Sequence, residues 1–221
     1  MDLPLHLILA AAGSSSRFGS GDKLLVDLNG APVFVHALRR LTPLVTGKTV
    51  IVIPKGRKGE FENAAFPFTR DLSLIWCEGG DNRSDSVRNG IAALGDVSGI
   101  AAVHDAARPL ADTRLLKQLY EAALLSGAAL PGKAVADTLW KSDGKTLDAT
   151  VDREGLFAVE TPQLFNLDSW RKANALFPDA VLTDDAGIFR LAGFPVTLVK
   201  NPEPNFKLTT QADLLMLRSL I

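Results

Sequence analysis

The sequence predicts an α/β fold built on a doubly wound, mostly parallel sheet, and three observations support that prediction. Short apolar runs alternate four times with segments of helical periodicity before Gly127. These runs do not alternate polar with apolar residues, so both faces of each strand are expected to be buried. The 221 residues, 47% of them hydrophobic and 22% charged, are enough for one such domain.

The alternation can be followed in order along the chain. Strands are predicted at 7–12, 49–53, 72–77 and 99–104, and helices at 32–42, 57–65, 84–94 and 112–126. Ser84 or Asp85 is the predicted cap of the third helix, and Asp112 and Gly127 are expected to bound the fourth. Later strands are predicted at 156–159 and 195–199. Three later helices are predicted: one capped by Asp168, one capped by Thr183 that starts near 184, and one capped by Thr209 or Thr210.

The rhythm changes between residues 134 and 155. Two short runs around Asp143-Gly144 predict a β-hairpin that interrupts the alternation of strands and helices. A lone two-stranded hairpin is marginal in water, and this one carries Leu139 and Trp140. We therefore expect residues 134–155 to form a protruding dimerisation arm, which makes the protein a homodimer.

Charge and cysteine content narrow the classes of function. A net charge of −1 disfavours a general nucleic-acid binder. The single cysteine, Cys77, excludes an internal disulfide and a multi-cysteine zinc site, and it favours a cytoplasmic location. The first apolar run follows Asp2 without any Lys or Arg, unlike a secretion signal, and no run reaches the roughly 18 residues of a membrane span. Residues 1–221 are thus expected to form a single domain that binds neither nucleic acid nor membrane.

The loop from Gly13 to Lys23 is the first candidate site. Its small residues let backbone N–H groups approach a polyanion, and Arg17 and Lys23 add positive charge beside them. This pattern favours a nucleoside triphosphate site over a merely flexible connection. The two Gly-Lys-Thr sequences elsewhere lack the earlier glycine of a P-loop, and no G-x-S-x-G nucleophile motif occurs.

Two more polar loops follow predicted strands. Gly80-Asp81 suits recognition of a base or ribose, although a plain turn with a helix cap stays open. Asp105 suits an Mg²⁺ ligand or a hydroxyl acceptor, and Arg108 either binds a ligand or only pairs with Asp105. His104 is expected to be a packed strand residue and not a general base. Since all three loops follow parallel strands, they should meet at one edge of the sheet.

The order of the motifs along the chain resembles one family. The motifs are Ala11-Ala12-Gly13 with Arg17 and Lys23, Gly79-Gly80-Asp81-x-Arg83-x-x-Ser86-Val87, His104-Asp105-Ala106-Ala107-Arg108-Pro109, Thr150-Val151-Asp152-Arg153, Thr161-Pro162-Gln163, Thr183-Asp184-Asp185 and Asn205-Phe206-Lys207-Leu208-Thr209. In this combination the chain resembles the 2-C-methyl-D-erythritol 4-phosphate cytidylyltransferases of the non-mevalonate isoprenoid pathway. The resemblance implies a Rossmann-like nucleotidyltransferase fold, and transfer of CMP from CTP to methylerythritol phosphate with release of pyrophosphate.

The resemblance also implies roles for individual residues. The nucleotide would be bound by Ala11, Ala12, Gly13, Gly80, Asp81 and Ser86. The catalytic residues would be Arg17, Lys23, Arg153 and Lys207. The acceptor would be bound by Asp105, Arg108, Thr161 and Lys207, together with Thr138 and Arg153 of the partner subunit. Mg²⁺ or another divalent cation is the expected cofactor, and Asp105 is the candidate protein ligand for it by its place at the end of a predicted strand.

The sequence departs from the family pattern in one loop, and two alternatives stay open. Ser14-Ser15-Ser16 stand where another glycine is usual, Asp22 replaces the usual Pro, and Leu24-Leu25 replace a common Gln-aromatic pair. The alternatives are a ribitol-5-phosphate cytidylyltransferase and, from another class, a non-catalytic nucleotide-binding protein on the same scaffold. Ala106-Ala107 favours methylerythritol phosphate, and the presence of both Arg17 and Lys23 favours catalysis.

Overall fold

The structure, a computed structural model, describes residues 3–13, 17–19 and 21–221. Its strands are β1 (Leu5–Ala10), β2 (Asp27–Leu28), β3 (Ala31–Pro32), β4 (Thr49–Ile53), β5 (Leu74–Glu78), β6 (Ile100–Asp105), β7 (Ala128–Ala134), β8 (Leu139–Ser142), β9 (Leu147–Val151), β10 (Phe157–Val159), β11 (Gln163–Asn166) and β12 (Thr197–Lys200). Its helices are α1 (Val33–Leu41), α2 (Lys58–Ala65), α3 (Arg83–Leu94), α4 (Thr113–Ser126), α5 (Leu167–Leu176), α6 (Ala186–Leu191) and α7 (Gln211–Leu220). Within the described ranges, none of the helices has the length and apolar character needed to cross a membrane.

The predicted doubly wound, mostly parallel sheet is confirmed. Eight strands of the described chain form it in the order β10-β7-β11-β6-β1-β4-β5, with β12 paired to β7. Strand β1 lies between β4 and β6 and is parallel to both, and β5 is parallel to β4. The chain thus runs outward from β1 through β4 and β5, then returns to place β6 on the other side of β1. Sheets of this type bind ligands at the point where the order reverses.

Residues of β1 show how the sheet separates two apolar cores. Leu7 and Leu9 belong to a cluster that includes residues of α1 and α4, whereas Ile8 belongs to one that includes residues of α3 and α5. Successive strand residues point to opposite faces, and all three are fully buried. The continuous apolar run therefore reflects helices on both faces, as the sequence predicts.

Strands β7 and β11, which form most of the antiparallel part of the sheet, are absent from the sequence-based prediction. Strand β7 contains Pro131 and Gly132, which are unfavourable in a strand interior. Strand β11 has only four residues, yet it pairs antiparallel with both β6 and β7. Burial between neighbouring strands therefore outweighs weak local preference here.

Three helix caps differ from the prediction, and one of them is that of α6, whose N-cap is Asp185 and not Thr183. Helix α3 is capped by Asn82, whose side chain accepts from the Asp85 N–H at 3.0 Å, and not by Ser84 or Asp85. Helix α5 is capped by Asn166 and not by Asp168. Asparagine is as good a cap as aspartate or serine, so several neighbouring candidates compete and only the backbone geometry selects one.

The predicted hairpin is present. Strands β8 and β9 form a two-stranded antiparallel sheet of their own, with Trp140 opposite Thr150. Asp143 holds the turn, because its Oδ1 accepts from the Thr146 N–H at 2.7 Å. The side chains of Trp140 and Leu147 are 48% and 65% exposed. The hairpin therefore presents apolar surface, as a dimerisation arm would.

Candidate functional site

The predicted polar loops meet at the carboxyl ends of β1 and β6. Ala10 and Asp105, the last residues of these strands, are register partners. A cleft of about 370 Å³ opens beside them. Its lining residues are Ala10, Ala12, Gly13, Gly80, Asp81, Asn82, Arg83, Ser86, Asp105 and Lys207. Predicted nucleotide-binding and acceptor-binding residues therefore share one cleft at the switch point of the sheet.

Close packing shapes the Gly79-Gly80 turn. A Cβ on Gly79 would lie 2.5 Å from the Cβ of Ala12, and one on Gly80 would lie 2.2 Å from the Cβ of Asp85. The Gly80 N–H donates to the Ser86 hydroxyl oxygen at 3.1 Å. Since neither position has room for a side chain, the turn packs closely and Gly80 brings bare backbone to the wall of the cleft.

Asp81 lies at the exposed rim of the cleft. Its carboxylate is 3.0 Å from Lys55 Nζ, and both side chains are largely exposed to solvent. The hydrogen bond and charge of Asp81 raise the pKa of Lys55. Exposed ion pairs contribute little to stability, so Asp81 can exchange this partner for a ligand at small cost.

Asp105 is surrounded by cations. Its Oδ2 lies 2.8 Å from Lys207 Nζ and 3.6 Å from Arg108 Nε. Its Oδ1 lies 3.6 Å from Arg83 Nη2. Burial opposes ionisation of this carboxyl, but the three cations outweigh burial and hold the pKa of Asp105 well below its ordinary value. Asp105 is therefore ionised, and the four groups together carry net positive charge.

Arg83 is a cleft residue to which the sequence analysis assigns no role. Its guanidinium binds Asp185 through two bonds of 2.9 and 2.7 Å. The Asp185 side chain is 4% exposed, and burial raises its pKa while Arg83 opposes that rise. The two residues are 102 positions apart. Their membership in two motifs of the family pattern is the one signal in the sequence that marks them.

His104 and Thr161 belong to a buried hydrogen-bond network beneath the cleft. The Asp105 N–H donates to Thr161 Oγ1 at 3.0 Å, and this hydroxyl lies 3.1 Å from His104 Nδ1. His104 Nε2 lies 3.0 Å from the carbonyl oxygen of Arg108. Because a carbonyl only accepts, Nε2 carries the proton and Nδ1 accepts from Thr161. Burial is the main cause that lowers the pKa of His104 to about 4, so this histidine is neutral and packed.

Arg17 and Lys23 bring further positive charge to this edge. Lys23 is half-buried, and its pKa is lowered first by burial and then by the positive charges of Lys207 and Arg17. The repulsion between neighbouring cations is offset when a polyanion binds between them. Residues 14–16 of the same loop lie outside the described residues.

A buried network holds Arg108. Its Nη1 donates to the carbonyl oxygen of Asn205 at 2.7 Å. The Asn205 amide donates to Glu160 Oε2 at 3.0 Å and to the Thr161 carbonyl at 2.8 Å. In the described part of the chain, Arg108 Nε is buried without a hydrogen-bond partner. The Arg108 Nε–H is therefore available as a hydrogen-bond donor beside Asp105.

Thr138 and Arg153 lie on the arm and not in the cleft of their own chain. Thr138 precedes β8, Arg153 follows β9, and both are exposed. The Arg153 guanidinium donates to the carbonyl oxygen of Ala136. Neither residue lines the cleft, so one chain by itself does not bring them to the other predicted site residues.

The cleft offers few ligands for a divalent cation held by the protein. Among residues 3–13, 17–19 and 21–221, no three His, Cys, Asp or Glu side chains cluster to hold a metal ion. Asp105, the predicted Mg²⁺ ligand, has Lys207 within hydrogen-bonding distance and two arginines nearby. A carboxylate enclosed by three cations suits a hydroxyl donor better than a divalent cation. The predicted metal role of Asp105 therefore does not fit this donor set.

Comparison with known proteins yields one family over almost the whole chain. A family model described as 2-C-methyl-D-erythritol 4-phosphate cytidylyltransferase matches residues 5–221. A relative of that name from Geobacillus thermodenitrificans is 35% identical over 219 residues, which cover 97% of this chain and 95% of the relative. A relative from Rhodospirillum rubrum named bifunctional enzyme IspD/IspF is 39% identical over 212 residues. The match covers 94% of this chain and 54% of that relative, so the chain spans about half the length of the two-function enzyme.

A solved structure extends the likeness to the fold. The crystal structure of 2-C-methyl-D-erythritol 4-phosphate cytidylyltransferase from Thermus thermophilus has a TM-score of 0.78 and 29% sequence identity. The match covers 100% of this chain and 98% of that one. The sheet and its flanking helices are thus shared from end to end.

Proposed function

This chain belongs to the 2-C-methyl-D-erythritol 4-phosphate cytidylyltransferase family, and we propose that it transfers CMP from CTP to 2-C-methyl-D-erythritol 4-phosphate. An oxygen of the acceptor phosphate attacks the α-phosphorus of CTP, and the bond from that phosphorus to the bridging oxygen breaks. The products are 4-diphosphocytidyl-2-C-methyl-D-erythritol and pyrophosphate. A single domain over residues 1–221 and a cytoplasmic location remain predictions that accompany this proposal.

The gathering of Arg17, Lys23 and Lys207 at one edge of the sheet carries the proposal. The positive charges of Lys207 and Arg17 help to lower the pKa of Lys23, and the Asp105 carboxylate lies beside Lys207. Two like unit charges about 4 Å apart repel by roughly 4 kcal/mol at an effective dielectric constant near 20. Bringing a triphosphate to a second phosphate meets this repulsion between the substrates, and the three cations offset it.

The nucleotide is proposed to bind at the glycine side of the cleft. Backbone of Gly13 and of the tightly packed Gly80 turn lies at the cleft wall, where N–H and C=O groups can hydrogen-bond a base or ribose. Asp81 stands at the exposed rim beside this turn. Ser86, which is buried, holds the Gly80 N–H and so maintains the shape of the turn.

The acceptor is proposed to bind at the Asp105 side of the cleft. The ionised Asp105 accepts from a polyol hydroxyl, while Lys207 and Arg108 face the acceptor phosphate. The attacking group is already an anion, so the reaction needs no strong general base. His104 is consistent with this, because it is neutral, fully buried and hydrogen-bonded through both ring nitrogens.

The divalent cation is proposed to arrive on the phosphates of CTP. Mg²⁺ is usually held by substrate phosphates with one or two carboxylates, and not by an all-protein cage. When bound, it supplies positive charge that neutralises the phosphates. Arg17, Lys23 and Lys207 then offset the phosphate charge that the divalent cation does not neutralise.

The arm is proposed to complete the site of the partner subunit in a homodimer. Thr138 and Arg153 lie on the arm, are exposed, and do not line the cleft of their own chain. The exposed Trp140 and Leu147 supply apolar surface of the kind that is buried between subunits. Arg153 of the partner subunit would then meet the acceptor phosphate.

An acceptor panel tests the activity. Purified protein with CTP, Mg²⁺ and methylerythritol phosphate should release pyrophosphate, and ribitol 5-phosphate should react much more slowly. Lys207→Gln should raise the KM for the acceptor, whereas the exposed Lys200→Gln is the matched control. Equal or reversed rates for the two acceptors would contradict the substrate assignment. No turnover with any polyol phosphate would favour the non-catalytic alternative.

Mixed dimers test the arm. Lys23→Ala and Arg153→Ala should each be nearly inactive, but their mixture should recover about a quarter of the wild-type activity. Half of the randomly mixed dimers contain both variants, and one of their two sites is then intact. A mixture that stays inactive, or an Arg153→Ala variant with normal acceptor kinetics, would show that the arm does not serve the partner's site.

A further inference from the structure

Asp22 and Arg57 form an ion pair directly beside Lys23. Asp22 stands where the family usually has Pro, and Arg57 lies just before α2. Arg57 Nη1 and Asp22 Oδ2 are 2.5 Å apart, and the Asp22 side chain is 7% exposed. The pair therefore joins the loop that carries Lys23 to the start of α2, 35 residues further along the chain.

The backbone on both sides of Lys23 is held through Asp22. Asp22 Oδ1 accepts from the Leu24 N–H at 3.0 Å, and the Asp22 carbonyl accepts from the Leu25 N–H at 3.0 Å. Lys23 thus occupies the corner of a tight turn. The buried Leu24 is in turn anchored to α1, because its carbonyl accepts from the Phe34 N–H at 3.2 Å.

Arg57 is a rigid anchor for this turn. Its guanidinium makes two bonds to Glu60, of 2.7 and 2.9 Å, in addition to the bond to Asp22. It also lies 5.4 Å from the ring centre of Phe61, which is fully buried. The planar guanidinium is fixed in orientation by these contacts, so it can hold Asp22 at a defined place.

Lys23 needs such an anchor because its neighbours repel it. The positive charges of Lys207 and Arg17 act on Lys23, and the ammonium is half-buried. A free loop would relieve this repulsion by swinging Lys23 into solvent. The carboxylate of Asp22 also attracts Lys23, so the same residue offsets the repulsion and holds the backbone.

We propose that Asp22 and Arg57 are positioning residues that hold Lys23 in place for the triphosphate. This inference rests on the proposed cytidylyl transfer. In this chain, hydrogen bonds and an ion pair restrict the backbone where the usual Pro would restrict it through its ring.

Turnover of four variants, with one control variant, tests the pair. Asp22→Asn and Arg57→Ala should each lower kcat by about 10- to 100-fold, because displacement of a catalytic group by about 1 Å can cost that much. The urea midpoint should change little, and Arg57→Lys should recover part of kcat. The double variant should be no worse than the poorer single one, since the two residues act together. Glu62→Gln, which breaks the Lys58–Glu62 ion pair on the same helix, is the control.

A second measurement does not depend on turnover. The rate at which acetic anhydride modifies Lys23, followed by mass spectrometry, should rise several-fold in Asp22→Asn and in Arg57→Ala, but not in Glu62→Gln. An active wild type with equally active variants and unchanged labelling would overturn the inference and leave the proposed function standing. An inactive wild type whose variants label faster would contradict the proposed function and support the positioning of Lys23 by the pair.

Discussion

Acid should destabilise the protein through His104. The folded pKa of this residue is about 4, lowered mainly by burial, and the ordinary value is 6.5. As pH falls below the ordinary value, the unfolded chain takes up the proton first, so stability is lost until the folded pKa is reached. The full difference between the two pKa values corresponds to about 3 kcal/mol in the free energy of unfolding. Roughly 2 kcal/mol of that stability should be lost between about pH 7 and about pH 5.

Urea unfolding of wild type and of His104→Gln at the two pH values measures this loss. Glutamine can still donate to the Arg108 carbonyl and accept from Thr161, but it does not titrate. His104→Gln should be less stable than wild type at neutral pH, and the gap should narrow by about 2 kcal/mol in acid. Other acid-sensitive groups, such as His6 with its lowered pKa, cancel in the difference.

Leu116→Ala is the control for general destabilisation. Leu116 is fully buried on α4 and does not titrate, so its gap to wild type should be the same at both pH values. If the gap for His104→Gln also stays constant, His104 takes up a proton in the folded state without cost. The assignment of Nδ1 as acceptor from Thr161, and with it the exclusion of His104 as a base, would then be wrong.

Two further predictions concern the nucleotide side of the cleft. Gly80→Ala places a Cβ 2.2 Å from the Cβ of Asp85, so CTP affinity measured by calorimetry should fall by at least about tenfold and the free energy of unfolding by about 1–3 kcal/mol. Gly59→Ala, where a Cβ meets no atom within 4 Å, is the control, and normal affinity in Gly80→Ala would refute the packing argument. CTP binding should take up protons and weaken as pH rises into the alkaline range, because the triphosphate raises the lowered pKa of Lys23. The observed enthalpy should then depend on the buffer, and a buffer-independent enthalpy would exclude this linkage.

Local pattern suffices for the parallel half of the sheet. The prediction for β4 matches Thr49–Ile53 because a β-branched run bounded by Pro has few alternatives. Helix α4 is capped by Asp112 and closed by Gly127 as predicted, since capping bonds join residues close in sequence. Strand β7, by contrast, has a local composition unfavourable to a strand and exists because β11 and β12 pair with it. The local sequence of β7 therefore does not predict the strand, because the strands that pair with it lie far away along the chain.

The candidate site divides in the same way. The prediction that His104 is a packed strand residue is supported by its full burial, but its bonds through Thr161 to Asp105 join residues 56 or more positions apart. Neither the bidentate Arg83–Asp185 pair nor the Asp22–Arg57 anchor follows from spacing along the chain. Each depends on where the ends of separate strands meet.

The amino-acid sequence is enough to predict the type of sheet, the charge of the ligand and the family. Apolar runs required a sheet covered on both faces, small residues with Arg17 and Lys23 indicated an anionic ligand, and the order of motifs indicated the family. Which charges face one another, and so which of them can act on a ligand, depends on the fold. An ion pair needs its partners within a few ångströms, and for residues far apart in sequence the packing of the whole sheet sets that distance.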